Sequence, residues 1–411
     1  MKKIVIVGAG TGGTAVANKL RKALPRDEWA ITVIDRDDNH VYQPGLLFVP
    51  FGLCSVNSII KSRKRYISGG IDFIIDPLKR INYEKNRVET EGGTFDYDWL
   101  IIGTGCRLAP EENEGLMDEW GENAFSFYTP ETAARLSNVI ANFSGGKLVM
   151  SVAALPFKCP VAPIEFIFLA DWYFRQKGIR DKVELTLSTP FIQCMPNWPK
   201  GRLVMQEAAR SKNITLVTDF VLSEVSREGK YIKSFKGEQV EYDLLVIVPT
   251  NVGDDVIVES GLDDGSTYVP TDKHTLKALN HKNIYVIGDA TNIPTSKAGS
   301  VAHYEAEIIT DNLLREISGK EPEPAYDGHS TCFIVSEKGK SFLVDFNYET
   351  QPLFGKFPLP LIGPFDLLKE TRINWGGKLG FEWLYWNIML PGKKMLLPPT
   401  LTMAGKKESP F

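Results

Sequence analysis

The chain begins with a short apolar run, Lys2-Lys-Ile-Val-Ile-Val-Gly8, and continues Gly8-Ala-Gly10-Thr-Gly-Gly13 into the helix-forming stretch Thr14 to Leu24. Glycines at this spacing, between a strand and a helix, direct the N-terminal segment into a dinucleotide-binding βαβ unit. Gly8 makes the tight turn, Gly10 lets a pyrophosphate approach the backbone, and Gly13 lets the helix pack on the strand. The helix N-terminus then faces the anion. The next strand, Trp29-Ala-Ile-Thr-Val-Ile-Asp35, ends in an acid whose carboxylate is placed to accept hydrogen bonds from ribose hydroxyls.

At 411 residues the chain is long enough for two or three domains with full-sized cores. The net charge of −4 supplies no basic field for nucleic acid. Five cysteines (54, 106, 159, 194 and 332) include no C-x-x-C pair, which argues against a zinc or other metal site. The odd count argues against a secreted disulfide scaffold. The chain enters a strand directly after Met1-Lys-Lys, so no signal peptide is expected. No stretch reaches the roughly 18 to 20 uncharged apolar residues of a membrane span. These features predict a cytoplasmic protein, with attachment to a membrane surface still open.

Further along, His40 lies in a turn and reads as a solvated loop residue. The strand ending Ile-Ile-Gly-Thr104-Gly105 brings backbone close to a ligand. Cys54, Cys106 and Cys194 read as packing residues. An acidic stretch with Glu111, Glu112, Glu114, Asp118 and Glu119 looks like a linker. A second α/β unit follows, with strands near 147–154, 183–188, 214–217 and 242–249 and helices near 164–175 and 201–211. Alternating strands and helices imply a parallel sheet. At the turn where a second Gly-rich loop would hold a nicotinamide cofactor, this chain has Ala154-Leu-Pro-Phe-Lys-Cys159-Pro-Val-Ala-Pro-Ile-Glu165. The glycines are missing and a cysteine takes their place, which points to electrons arriving from a sulfur compound.

The strand Asn283-Ile-Tyr-Val-Ile-Gly288-Asp289 returns the chain to the first domain, with Asp289 placed for a ribityl hydroxyl. Lys297 and the helix start at Gly299 and Ser300 would stabilise negative charge on a reduced flavin ring. After residue 320 come a turn and a strand through Cys332, its partner 341–346, a Pro-, Phe- and Leu-rich segment at 352–364, and an aromatic helix with Lys393 and Lys394 behind it. That last region reads as an interfacial membrane anchor. The expected architecture is α/β. It has an FAD-type domain (1–110 and 250–319), a second Rossmann-like domain (111–249) and a C-terminal quinone and membrane-interface region (320–411).

These residues together resemble the sulfide:quinone oxidoreductases, flavoproteins of the two-dinucleotide-domain, glutathione-reductase-like superfamily. The resemblance spans essentially the whole chain. It rests on the first glycine loop, K-C-P-x-A-P-x-E-F at 158–166, I-G-D-A at 287–290, K-A-G-S-x-A-H at 297–303, T-C-F-I at 331–334 and the late K-x-x-F. It implies that Cys159 and Cys332 form the redox disulfide or trisulfide beside the flavin, that Glu165 is the acid near the sulfide site, and that Lys378 and Phe381 lie on the quinone side. Tyr128 stands where several members carry a third cysteine, so FAD is expected to be held non-covalently.

On that basis sulfide would open the cysteine bridge, electrons would pass to FAD, and sulfur would leave as polysulfide. Quinone would dock between Phe381, Trp386 and the 352–364 segment. The position of Cys159 just before a helix predicts a lowered thiol pKa, and Glu165 is a candidate proton acceptor. The expected partners are sulfide, a membrane quinone and the cytoplasmic membrane surface; a homo-oligomer stays open. A type II NADH:quinone dehydrogenase competes, but Val152 to Phe157 supplies no second glycine loop. A flavocytochrome sulfide dehydrogenase would be exported. A non-catalytic flavin-binding, membrane-docking subunit is the third alternative.

Overall fold

The computed structural model describes residues 1–195, 198–359, 362–395 and 397–408. Lys2–Val7 is the middle strand of a five-stranded parallel sheet. Its order is Ile284–Val286, Trp99–Ile102, Lys2–Val7, Trp29–Asp35, Asp72–Ile75. A parallel strand buried on both faces needs apolar residues at successive positions. Ile4 and Ile6 meet one core, beneath the helices Thr11–Ala23 and Gly299–Ile317, whereas Val5 and Val7 meet a second core on the other face. The chain leaves this sheet at Ile102 and rejoins it at Ile284.

A second parallel sheet runs Ala124–Phe125, Leu244–Val248, Gly146–Val152, Val183–Ser188, Ile214–Val217. The helix Ala162–Lys177 follows its central strand. It is apolar almost all round and buries residues 162–171 and Phe174, as expected for a helix enclosed on every side. One side covers the sheet. The other receives the antiparallel pair Ser330–Glu337 and Lys340–Phe346, in which Cys332 lies opposite Val344. The helix Arg372–Leu384 and the π-turn Tyr385–Met389 close the fold, with Leu390 accepting a hydrogen bond from Asn18 at 2.7 Å.

The acidic stretch at 111–119 is part of the folded body: Leu116 is fully buried and Glu119 nearly so. Glu111, Glu112, Glu114 and Asp118 are exposed on or between two short helical turns whose inner side carries Leu116 and Glu119, and the run of acids hid that contact. The hairpin expected over 221–240 is a three-stranded antiparallel sheet, Leu222–Ser226, Tyr231–Ser234, Gln239–Glu241.

Candidate active site

The glycine loop shows which glycines the protein needs and which serve a ligand. A Cβ on Gly13 would fall 1.9 Å from the Gly8 carbonyl oxygen, so the close helix–strand contact permits only hydrogen there. A Cβ on Gly10 would meet nothing within 4 Å; its space is left for a ligand. The Thr11–Ala23 helix starts there with no side-chain cap and no acid in its first turn, so its N–H groups remain for an anion. Asp35 accepts from the Ala9 and Arg36 N–H groups at 2.6 and 2.8 Å and pairs with Arg63, which fixes its carboxylate at the strand end. The Thr104 hydroxyl is buried without a partner. Gly105 and Gly288 take positive φ values of 77° and 70° beside it and beside Asp289. The open cradle at Gly10 and the orphaned Thr104 hydroxyl fit an FAD dinucleotide.

Cys159 is held by contacts from four directions. Its N–H donates to the Lys297 carbonyl at 2.8 Å, and its own carbonyl accepts from Ala162 N–H at 2.9 Å and from the Tyr128 hydroxyl at 3.4 Å. The preceding Lys158 N–H donates to Asn251 Oδ1 at 3.1 Å. The residue adopts a left-handed backbone, φ 49°, which a non-glycine residue keeps only where its surroundings over-determine it. Lys297 and Cys159 are therefore joined through backbone, which ties the Asp289 loop to the cysteine turn.

Cys332 approaches from the third sheet, and both thiols are free. Burial pushes the Cys159 thiol well above its ordinary value; Glu165 and Cys332 add to this, while Lys378 and the Ala162 N–H oppose it. This corrects the lowered pKa expected from the helix start. The helix begins three residues later, at Ala162, and dehydration outweighs the dipole. Cys332 is pushed up to about 11, chiefly by burial, with Ser330, Lys378 and Ser300 opposing and Glu165 adding.

Glu165 and Lys378 stand between the sulfurs and the C-terminal helix. The Lys378 ammonium donates to Glu165 Oε1 at 2.9 Å and to the Phe333 carbonyl at 3.2 Å, and Val335 N–H donates to Glu165 Oε1 at 2.8 Å. Burial raises the proton affinity of Glu165 against the opposing charge of Lys378, and Glu165 in turn keeps the buried ammonium charged. Glu165 is 1% exposed, buried rather than solvated in the first turn of its helix. Lys378, expected toward the quinone, shares the site of the two sulfurs.

The solvated reading of His40 also needs correction. His40 is 2% exposed, with Nε2 2.6 Å from the Tyr385 hydroxyl, which also lies 2.8 Å from Thr11 Oγ1. Burial and Arg63 depress its pKa to about 3, so it is neutral. Nothing near His40 in sequence signals this, because the element covering it lies 345 residues away. Lys297 is tied by its ammonium to the Asp289 and Thr291 carbonyls at 2.8 and 2.7 Å, over the Tyr268 ring. Both bonds turn its ammonium toward backbone carbonyls of the Asp289 loop. Trp386 is buried against His40, Tyr42, Tyr66 and Tyr385, with Lys61 over its ring. Phe381 is half-buried against the main core. Pro360 and Leu361, within the 352–364 segment expected to border the quinone, lie outside the described residues.

The sequence of residues 2–140 matches the pyridine nucleotide-disulphide oxidoreductase family. This chain is 30% identical over 399 residues to the mitochondrial sulfide:quinone oxidoreductase of Dictyostelium discoideum, covering 95% of this chain and 86% of that protein. It is 23% identical over 389 residues to a type II NADH:quinone oxidoreductase of Staphylococcus aureus, covering 86% of this chain and 92% of that one. Among solved structures it resembles the sulfide:quinone oxidoreductase of Aquifex aeolicus. The TM-score is 0.79 at 20% identity, over 96% of this chain and 92% of that one.

Proposed function

The chain belongs to the sulfide:quinone oxidoreductase family, and from that premise we propose that it oxidises sulfide at Cys159 and Cys332 and passes the electrons through FAD to a membrane quinone. The observation that carries the assignment of roles is the convergence of Cys159, Cys332, Glu165 and Lys378 in one buried site.

In the oxidised enzyme the two cysteines are bridged. Hydrosulfide attacks the Cys159 sulfur, its S–S bond forms as the Cys159–Cys332 bond breaks, and the electron pair leaves on Cys332 as a thiolate. The charge of Lys378 and the Ser330 hydroxyl, 3.8 Å from the Cys332 sulfur, stabilise that leaving group. A second hydrosulfide attacks the outer sulfur of the Cys159 persulfide, releasing disulfane and the Cys159 thiolate. Glu165 accepts the proton of incoming hydrogen sulfide: burial raises its proton affinity, and Lys378 holds its carboxyl in place. FAD, when bound, would supply the two-electron acceptor chemistry between the dithiol and quinone. Gly8, Gly10, Gly13, Asp35, Thr104, Gly105, Gly288, Asp289 and Gly299 hold it; Lys297 shapes that loop through its backbone. With Tyr128 at the position of the family's third cysteine, the attachment is non-covalent.

The chain meets the membrane through the Arg372–Leu384 helix. Ile373, Leu379, Trp383 and Leu384 are exposed on one face, with Gly376 and Gly380 between them. Such an apolar stripe open to solvent suits the plane of a lipid surface. Among the described residues no helix is long and apolar enough to cross a membrane. Quinone enters from that side, past Phe381.

The test is anaerobic absorbance of the bound flavin with sulfide, with NADH in a separate sample, then with a soluble quinone. Bleaching by sulfide and recovery with quinone are expected. Bleaching by NADH alone would make the chain a dehydrogenase.

A further inference from the structure

Behind Cys332 lies a second buried polar cluster that the steps above do not use. The His329 Nε2–H donates to Asp345 Oδ1 at 2.8 Å, and the Thr331 hydroxyl donates to the same oxygen at 2.6 Å. Lys406, from the C-terminal strand, pairs with Asp345 Oδ2 at 2.6 Å, with both side chains at 0% exposure. The Tyr304 hydroxyl lies 3.2 Å from Thr331 Oγ1. A threonine hydroxyl carries one hydrogen, and Asp345 takes it, so Tyr304 is the donor in that bond. The Tyr304 and His329 rings are stacked, with centroids 4.3 Å apart and planes within 9°. Burial alone would raise the Asp345 pKa; the bond from His329 and the charges of His329 and Lys406 hold it below the ordinary carboxylate range.

The cluster is placed where it can govern a sulfur. Thr331 immediately precedes Cys332, and His329 precedes it by three residues. Asp345 sits beside Val344, the ladder partner of Cys332. Tyr304 belongs to the Gly299–Ile317 helix, one turn after Ser300, which bonds the Cys332 thiol. We propose that Tyr304, Thr331, His329 and Asp345 form a positioning network for Cys332. His329 and Thr331 donate to one carboxylate, Tyr304 from the flavin-side helix donates to Thr331, and the chain of bonds fixes the sulfur against the start of that helix. Lys406 keeps the carboxylate charged, so the C-terminal strand completes the network. A purely apolar contact would leave the strand free to slide by fractions of an ångström. Bonds of fixed length to one buried acid do not allow this.

This inference rests on the reading of Cys332 as a redox sulfur. The test compares FAD-loaded parent, Thr331→Val, Tyr304→Phe and Asp345→Asn. Two rates are measured: flavin bleaching by sulfide, and reoxidation of photoreduced flavin by a soluble quinone. Alkylation of Cys332 by iodoacetamide in reduced protein is followed by mass spectrometry. Slowing of the sulfide step by about tenfold is expected, with quinone reoxidation unchanged and Cys332 alkylated several times faster. Thr331→Val and Tyr304→Phe each remove one hydroxyl at nearly constant shape, and they carry the test if Asp345→Asn fails to fold. Sulfide rates within about threefold of the parent in both would overturn the proposal. A parent that sulfide does not bleach overturns the reading of Cys332 as well; a bleached parent with unchanged variants overturns the network alone.

Discussion

The Lys378 ammonium lies 2.9 Å from Glu165 Oε1, so two residues 213 positions apart share one buried charge pair beside Cys159 and Cys332. Removing one partner of such a pair strands the other without water and costs about 3–5 kcal/mol. Glu165→Gln and Lys378→Met should each lower stability by that order in urea denaturation at saturating FAD. The double variant should recover most of the loss. Strictly additive losses would show that the two groups do not stabilise one another.

Cys159→Ser and Cys332→Ser should each abolish bleaching by sulfide, a loss of at least about 10³-fold, because neither can form the bridge. FAD content should stay at the parent level, since neither sulfur contributes to the Gly8–Gly13 cradle. Parent-like bleaching rates in both variants would remove the cysteines from the mechanism.

Glu305 gives a pH prediction. It is fully buried on the Gly299–Ile317 helix, and Gly288 N–H donates to its Oε2 at 2.6 Å. Burial raises its pKa from 4.5 to about 7. A raised carboxyl contributes stability that is complete below pH 4.5 and is lost as pH rises through 7, because the folded state then holds a dehydrated charge. At about 1.4 kcal/mol per pH unit the difference reaches about 3 kcal/mol. Glu305→Gln, whose amide oxygen can still accept from Gly288, should be more stable than the parent at pH 8 and no more stable at pH 4. Thermal denaturation of FAD-loaded protein at the two pH values decides it, and equal differences at both would refute it.

Two glycine substitutions should separate folding from cofactor binding. Gly13→Ala drives a methyl into the Gly8 carbonyl and should prevent folding of the first sheet. Gly10→Ala meets no protein atom and should fold, yet lose FAD affinity by about tenfold or more, as read by flavin release on dilution. Full FAD retention in Gly10→Ala would place the pyrophosphate elsewhere.

Trp383→Asp and Leu379→Asp introduce charge on the exposed apolar face of the C-terminal helix without disturbing the core. Each should weaken sedimentation with lipid vesicles several-fold while leaving bleaching by sulfide intact. Unchanged vesicle binding in the double variant would move the membrane contact to another surface.

The sequence by itself determined the parts of this protein whose signals are local. The strand–glycine–helix order fixed the first βαβ unit. Apolar runs between turn residues marked most strands of both parallel sheets, though not Asp72–Ile75 or Ala124–Phe125. The Cys159 block announced itself by the absence of glycine where a nicotinamide loop would lie. Tertiary structure decided everything that depends on residues distant in the chain. His40 reads as a loop residue until Tyr385 covers it. Lys378 reads as a quinone-side cation until the Arg372–Leu384 helix, packed on the Ser330–Glu337 and Lys340–Phe346 pair, carries it to Glu165. Thr331, Asp345 and Tyr304 look like ordinary strand and helix positions until packing joins them, Tyr304 donating to Thr331 and Thr331 to the Asp345 carboxylate. The Cys159 thiol illustrates the difference most directly. Its place before a helix is written in the sequence and favours the thiolate, but its burial is created by the packing of separate segments, and dehydration of a charge outweighs one helix terminus.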